Sequence, residues 1–205
     1  MHSNDPIEHP PETAQLDDPK ATAILHAAFA TFSLYGYRRS AMADIAKAAG
    51  ISRAALYLHF KNKEDILRGM MQRYYQGAEI DFAAALGAPG VVMSQLQNGF
   101  AALSGETFRQ LLNAPHGHEL LDVKAEAGPV VAEGEAALAR VLAQYLRDAE
   151  AAGRISLDLI GADADAAAGV MMQAYKGLKQ DGPSYEVFCE KRDQLARIYA
   201  AALMR

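Results

Sequence analysis

The polar side chains between Ser40 and Lys63 are of the types that bind nucleic acid. An arginine such as Arg53 can form two hydrogen bonds with the edge of a guanine, the commonest base-specific contact, and a phosphate contact is the alternative. Tyrosine, histidine and lysine side chains contact phosphate oxygens, which fixes the register of a protein on a duplex without reading its sequence. The candidate DNA-contacting residues are Ser40, Ser52, Arg53, Ala54, Tyr57, His59 and Lys63.

A second polar group, His116, His118 and Glu119, flanks the break formed by Pro115 and Gly117. Two imidazoles and a carboxylate can bind zinc, or one imidazole can hydrogen-bond an organic ligand. Because no other histidine is near, the favoured interpretation is a polar junction between helices. No metal and no cofactor is therefore predicted, although His116 and His118 stay open as ligands of a metal-responsive protein or, more remotely, of a metal-dependent enzyme.

Flexible and aromatic side chains in the C-terminal half predict a cavity for a small molecule. Methionine and aromatic residues line such cavities, but at helical spacing they also form ordinary packed core. Both interpretations remain open for the candidate ligand-binding residues Phe100, Leu103, Phe108, His116, Met171 and Tyr175.

The elements that must position the first group are short helices separated by turn residues. Ser40 and Ser52 are predicted N-caps, and Gly50 is predicted to end the intervening helix with a positive φ, followed by Ile51 as an apolar plug. Asn62 should cap a further helix that begins at Lys63. This arrangement is a helix-turn-helix, whose second helix can enter a major groove.

The ordered set of residues in this region resembles the N-terminal domain of TetR/AcrR-type bacterial transcriptional regulators. The resemblance covers residues 27–67, about a fifth of the chain, and implies an all-helical homodimer that binds a double-stranded DNA operator. It also implies a C-terminal domain that binds a small-molecule inducer and dimerises through the last two helices, and it favours a repressor released from a palindromic operator. The residues that carry it are Ala27, Phe32, Gly36, Ser40, Asp44, Ile45, Ala46, Ala49, Gly50, Ile51, Ser52, Leu56, Tyr57, Phe60 and Lys63.

The charge is divided unevenly along the chain. The whole chain carries −5, but residues 20–75 hold nine basic and three acidic side chains, a balance of +6 that leaves −11 for the rest. A basic lobe on an acidic body indicates a protein that touches phosphate on one side. A nonspecific DNA-coating protein would need a positive balance overall. The single cysteine, Cys189, and the lack of an apolar run of membrane-spanning length predict a cytoplasmic protein.

The pattern as a whole predicts an all-α protein in three parts. Residues 1–18 form an acidic disordered tail, residues 19–77 a three-helix helix-turn-helix DNA-binding domain, and residues 78–205 a helical ligand-binding and dimerisation domain. A fourth helix links the two domains. Helices outside the helix-turn-helix are expected over 20–35, 63–86, 91–103, 108–112, 118–125, 129–152, 163–179 and 184–204.

Overall fold

The computed structural model describes residues 18–121, 124–180 and 183–204, and within these ranges it contains helices and no strand, which confirms the predicted fold class. The predicted acidic tail lies outside the described residues, apart from Asp18. The helices are α1 (Pro19–Tyr35), α2 (Met42–Ala48), α3 (Arg53–His59), α4 (Lys63–Gly87), α5 (Val92–Ala102), α6 (Glu106–Asn113), α7 (Gly117–Leu121), α8 (Lys124–Ala151), α9 (Ala164–Gly177) and α10 (Tyr185–Leu203).

Helices α1 to α3 and the first half of α4 form an N-terminal lobe around a small apolar core. The side chain of Asp18 caps α1 by accepting a hydrogen bond from the Lys20 N–H at 3.0 Å, and Pro19 occupies the first helical position, where its missing N–H costs nothing. The core of the lobe excludes solvent almost completely. Its most deeply buried large side chains include Ile24, Phe32, Ile45, Leu56, Phe60, Ile66 and Leu67.

Helix α4 continues out of this lobe and becomes the central helix of the C-terminal body. Met70 still belongs to the first core, whereas Phe82 and Leu86 belong to the second. In the body α4 packs along α8 and α5, while α10 packs on α5 and α9 on α8. The crossing of α4 and α8 is close, because a Cβ atom at Gly134 would lie 2.1 Å from the ring of Tyr75.

Three parts of the layout differ from the sequence-based prediction. Helix α8 begins at Lys124, but Ala127 has non-helical angles (φ −128°, ψ 15°), so regular helix resumes where Gly128 and Pro129 were predicted to start it. Helix α7 begins at Gly117, and part of the predicted 118–125 helix lies outside the described residues. A 3₁₀ turn at Leu157–Ile160 was not predicted, because four residues are too few to show a periodicity.

In the described part of the chain, no helix is both long enough and apolar enough to cross a membrane.

Candidate nucleic-acid interface and interior cleft

The turn between α2 and α3 has the predicted helix-turn-helix geometry. Gly50 adopts a φ of +68°, and the N–H of Ile51 donates to the carbonyl of Ala46 at 3.0 Å, which ends α2 in a tight turn. Ile45 on α2 and Leu56 on α3 are fully buried on the inner side of the pair. This packing holds α3 by one face and leaves the opposite face exposed.

The N-caps predicted at Ser40 and Ser52 have different outcomes, while the cap predicted at Asn62 is confirmed. Ser52 is confirmed, because its Oγ accepts a hydrogen bond from the Ala55 N–H at 3.1 Å. The Ser40 prediction is wrong, since the N-cap of α2 is Ala41, whose N–H donates to Oδ2 of Asp44 at 2.8 Å. The side chain of Ser40 instead turns inward, where its buried hydroxyl donates to the carbonyl of Gly36 at 2.7 Å. It is therefore not available to a phosphate.

The exposed face of α3 carries most of the remaining candidates. Arg53 and Ala54 are exposed at its N-terminal end, and Tyr57 is 42% exposed one turn further on. His59 is less accessible, because its Nδ1 lies 3.2 Å from Oδ2 of Asp18. That contact joins the end of α3 to the start of α1, which gives His59 a structural role in addition to any contact with DNA.

Lys63 does not point to solvent as a phosphate anchor would. Its Nζ donates to the carbonyl of Tyr37 at 2.7 Å and to that of Ser40 at 3.1 Å, and it lies 4.5 Å from the centroid of the Tyr37 ring. The amino group of Lys63 therefore binds the α1–α2 loop, an interaction that the sequence analysis did not predict. Sequence could not show this, because the loop and Lys63 are more than twenty residues apart.

Several exposed cations of the lobe were counted in its charge but not placed among the candidate contacts. Arg38 and Arg39 lie in the loop that Lys63 clamps, Lys47 lies at the end of α2, and Lys61 lies between α3 and α4. The concentration of basic residues was the signal that could have identified them. Their exposure leaves their charge available to phosphate.

An open cleft of about 1240 Å³ lies between the two lobes. Its walls include Leu25 and Phe29 of α1, Met70 of α4 and Leu111 of α6, so both lobes contribute to it. Of the six predicted ligand-binding residues, the cleft is lined by Leu103 and Phe108. The others lie elsewhere.

Three of the predicted ligand-binding residues belong to the packed core. Phe100 and Tyr175 stack with their ring centroids 5.3 Å apart, and both are at most 3% exposed, as is Met171. For these residues the structure supports the alternative of ordinary core packing. Their spacing on the helices was the same for either role, so the sequence could not separate the two.

The histidine group forms a polar junction. Nδ1 of His116 lies 3.0 Å from Oε1 of Glu119, and the N–H of His116 donates to the carbonyl of Ser33 at 3.1 Å, which attaches α7 to the end of α1. His118 lines the cleft instead. The described residues include no group of three or more His, Cys, Asp or Glu side chains that could hold a metal ion, so the metal-responsive alternative gains no support.

Comparison with known proteins agrees with this geometry. The family model for bacterial regulatory proteins of the tetR family matches residues 24–70, the segment that contains α2, its turn and α3. The segment that forms the helix-turn-helix thus belongs to the TetR family. The structure of SmeT, the repressor of the Stenotrophomonas maltophilia multidrug efflux pump SmeDEF, superposes with a TM-score of 0.68 at 20% identity and covers 93% of each chain.

Two curated relatives show how the similarity is distributed. The fatty acid metabolism regulator protein of Bacillus subtilis (strain 168) is 33% identical over 92 residues, which span 43% of this chain and 47% of that protein. The HTH-type transcriptional regulator SrpR of Pseudomonas putida is 26% identical over 184 residues, 88% of this chain and 80% of that protein. The chain thus matches about half the length of the first relative, and both relatives are named as regulators.

Proposed function

We propose that this protein is a TetR-family transcriptional regulator that binds operator DNA through α3 and is released by a small molecule. The observation that carries the proposal is the exposed N-terminal end of α3, with Arg53, Ala54 and Tyr57 outward and Leu56 fully buried behind them. A helix held by one face over a tight turn can place its exposed residues in a major groove.

Within this interface the side chains have separate tasks. Arg53 reads a base edge, and Tyr57 contacts the phosphate backbone. Arg38 and Arg39 take over the phosphate contacts that Ser40 and Lys63 do not provide, because they are exposed in the loop next to α2. These contacts would set affinity and its salt dependence, whereas Arg53 would set preference for sequence.

The active species is a homodimer formed by the outer faces of α9 and α10. Val170 on α9 is 66% exposed and Ile198 on α10 is 56% exposed, although both are large and apolar. A Cβ atom at Gly169 would meet nothing within 4 Å, so a second helix can approach α9 closely there. A two-fold dimer presents two reading helices, which implies a palindromic or nearly palindromic operator.

The cleft between the lobes is the site from which an effector acts. We place the boundary of the DNA-binding domain near Gly77, so that α1 and the first half of α4 stand on one side of the cleft and the body on the other. A molecule seated there touches both sides and favours one relative position of the lobes. A tenfold loss of operator affinity requires about 1.4 kcal/mol of such coupling. Repression is the proposed mode of action, since SmeT, one of the structural neighbours, is named as a repressor, and a protein that acts on operator DNA would work in the cytoplasm.

Substitution of Arg53 tests the DNA-binding part of this proposal. Arg53→Ala should weaken operator binding by about 1 to 3 kcal/mol and relax base preference at one position in each half-site, because a bidentate base contact is lost. Competition binding over randomised operators measures both effects. Arg140→Ala is the matched control, since Arg140 is an exposed arginine on α8. Unchanged affinity and base preference in Arg53→Ala would show that α3 is not the reading helix.

A further inference from the structure

The cleft is apolar along most of its length and positively charged at one end. Its apolar wall includes Phe29, Met71 and Leu111, and Phe108 continues that wall toward α9. The charged end is formed where Lys176 of α9 and Lys179, in the turn that follows α9, face Glu135 of α8. Two ammonium groups and one carboxylate leave an excess of one positive charge there.

The carboxylate is already used by one of the two lysines. Nζ of Lys176 donates to Oε2 of Glu135 at 2.6 Å. Lys179 has a different environment, because its Nζ lies 4.8 Å from the ring centroid of Phe108 and 5.0 Å from that of Tyr175. Among the described residues it has no hydrogen-bond acceptor, and aromatic faces satisfy an ammonium group only in part.

This position is unfavourable for a charge in the absence of a partner. Burial lowers the pKa of Lys179 to about 8, and the neighbouring Lys176 lowers it further, while Glu135 acts in the opposite direction. A neutral apolar side chain of the same length would fill this space without that cost. A charged group kept in a cleft at a cost to folding points to a ligand that needs it.

We propose that the cleft binds an amphipathic carboxylate, with its carboxylate accepting hydrogen bonds from Nζ of Lys179 and its apolar chain lying along Phe29, Met71 and Leu111. That such a ligand acts as the effector rests on the proposed function, whereas its binding in the cleft does not. The ligand contacts α1 through Phe29 and the turn after α9 through Lys179, so both lobes contact one molecule. An ammonium ligand would be repelled by the two lysines, and a neutral chain would leave Lys179 without an acceptor.

Calorimetric titration of the DNA-free protein with ten-carbon ligands tests the head group. Decanoate should bind at least tenfold more tightly than 1-decanol, and decyltrimethylammonium should bind no better than 1-decanol. Affinity should rise about fourfold for each methylene added from octanoate to dodecanoate, because each is buried against the apolar wall. Decyl phosphate distinguishes the two anionic head groups, and if it binds tenfold more tightly than decanoate, the carboxylate assignment is wrong.

Three variants identify the lysine. Lys179→Met should lose at least tenfold in decanoate affinity and bind decanoate and 1-decanol alike, whereas Lys179→Arg should keep most of the preference. Lys191→Met is the control, because Lys191 is an exposed lysine on α10. If Lys179→Met keeps the preference for decanoate over 1-decanol, the proposal is overturned.

Stability provides a readout that separates a binding role from a structural one. Because the pKa of Lys179 is lowered in the folded protein, folding releases protons between about pH 8 and the usual lysine range, and the wild type gains stability as the pH rises through that window. Lys179→Met should therefore raise the Tm at pH 7 by about 3 °C or more, and this difference should shrink near pH 10. A variant that is less stable at pH 7 and unchanged in binding would make Lys179 a structural residue and refute the proposal.

The difference in stability between the wild type and Lys179→Met reports on Lys179, since the other titratable groups that face it or the cleft are present in both proteins. These are His26, Arg73, Tyr74, Tyr75, Asp81, Glu106, His118, Glu135, Tyr175 and Lys176.

Release of operator DNA tests the effector role, and binding of decanoate tests the site, so the two can fail independently. Decanoate that binds through Lys179 but does not release labelled operator supports the site and removes the effector step from the proposed function. Failure of decanoate to bind, with Arg53-dependent operator binding intact, overturns the ligand assignment alone.

Discussion

The amino group of Lys63 is enclosed by carbonyl groups, although its position at the start of a helix resembles that of a phosphate anchor. It donates to the carbonyls of Tyr37 and Ser40, which belong to the loop before α2. A charged donor at this position satisfies carbonyl groups that the loop cannot pair internally. Lys63 thereby fixes the loop that carries Arg38 and Arg39, and it affects DNA binding through their position.

Substitution of Lys63 should lower stability more than it alters the salt dependence of DNA binding. Lys63→Met should cost about 1.5 to 3 kcal/mol of unfolding free energy, because hydrogen bonds from a charged group to the loop carbonyls are lost. Lys61→Met is the control, since Lys61 is exposed two residues away, and it should flatten the salt slope of operator binding while leaving stability unchanged. Thermal unfolding and binding at several salt concentrations measure both variants. If Lys63→Met instead flattened the salt slope and Lys61→Met lowered stability, Lys63 would be the phosphate contact.

At the scale of elements, the short helix α7 connects the cleft to the DNA-binding lobe. Leu120 of α7 lines the cleft and belongs to the core of the N-terminal lobe, while the N–H of His116 donates to the carbonyl of Ser33 in the last turn of α1. The carboxylate of Glu119 covers Gly36, where a Cβ atom would lie 2.8 Å from Oε1. Movement of α7 would therefore displace the loop that leads into α2.

A double-mutant cycle on Gly36 and Glu119 measures this contact. Gly36→Ala should be strongly destabilising, because Gly36 has a φ of +87° and the added Cβ meets Glu119. Removing the carboxylate with Glu119→Ala should recover about 0.5 to 2 kcal/mol of that loss, so the two changes should be less than additive in chemical denaturation. Gly50→Ala serves as control, since its φ is also positive but its Cβ would meet nothing within 4 Å. Strict additivity of Gly36→Ala and Glu119→Ala would mean that α7 does not press on the loop.

For the whole molecule, the exposed apolar residues of α9 and α10 predict the assembly. Val170→Glu places a charge in the proposed two-fold interface, where it meets its own symmetry mate, and should produce monomers that lose most of their operator affinity. Val91→Glu is a matched control, because Val91 is 68% exposed at the start of α5 and Val170 is 66% exposed. Sedimentation velocity and operator titration measure the two variants. A dimeric Val170→Glu protein that still binds operator would place the interface on another surface.

The sequence by itself determined the all-α class, the helix-turn-helix and most of the helix positions. These depend on local signals, namely the cap at Ser52, the positive φ of Gly50 and the apolar spacing that buries Phe32 and Leu56. Each of these residues interacts with neighbours a few positions away, so the pattern that encodes the interaction is visible in a short window of sequence. The uneven charge likewise required only composition.

The tertiary structure alone decided which polar groups are available and where the cleft lies. Lys63 and Ser40 are directed inward by the loop and the turn that surround them, Phe100 and Tyr175 fill the core, and Lys179 lies against the rings of Phe108 and Tyr175. Except for Ser40, whose partner Gly36 is four positions away, these outcomes depend on distant partners, as with Phe100 and Tyr175, which are 75 positions apart. A side chain's spacing on its own helix is the same whether it faces core, cleft or solvent, and only the packing of the other helices separates these cases.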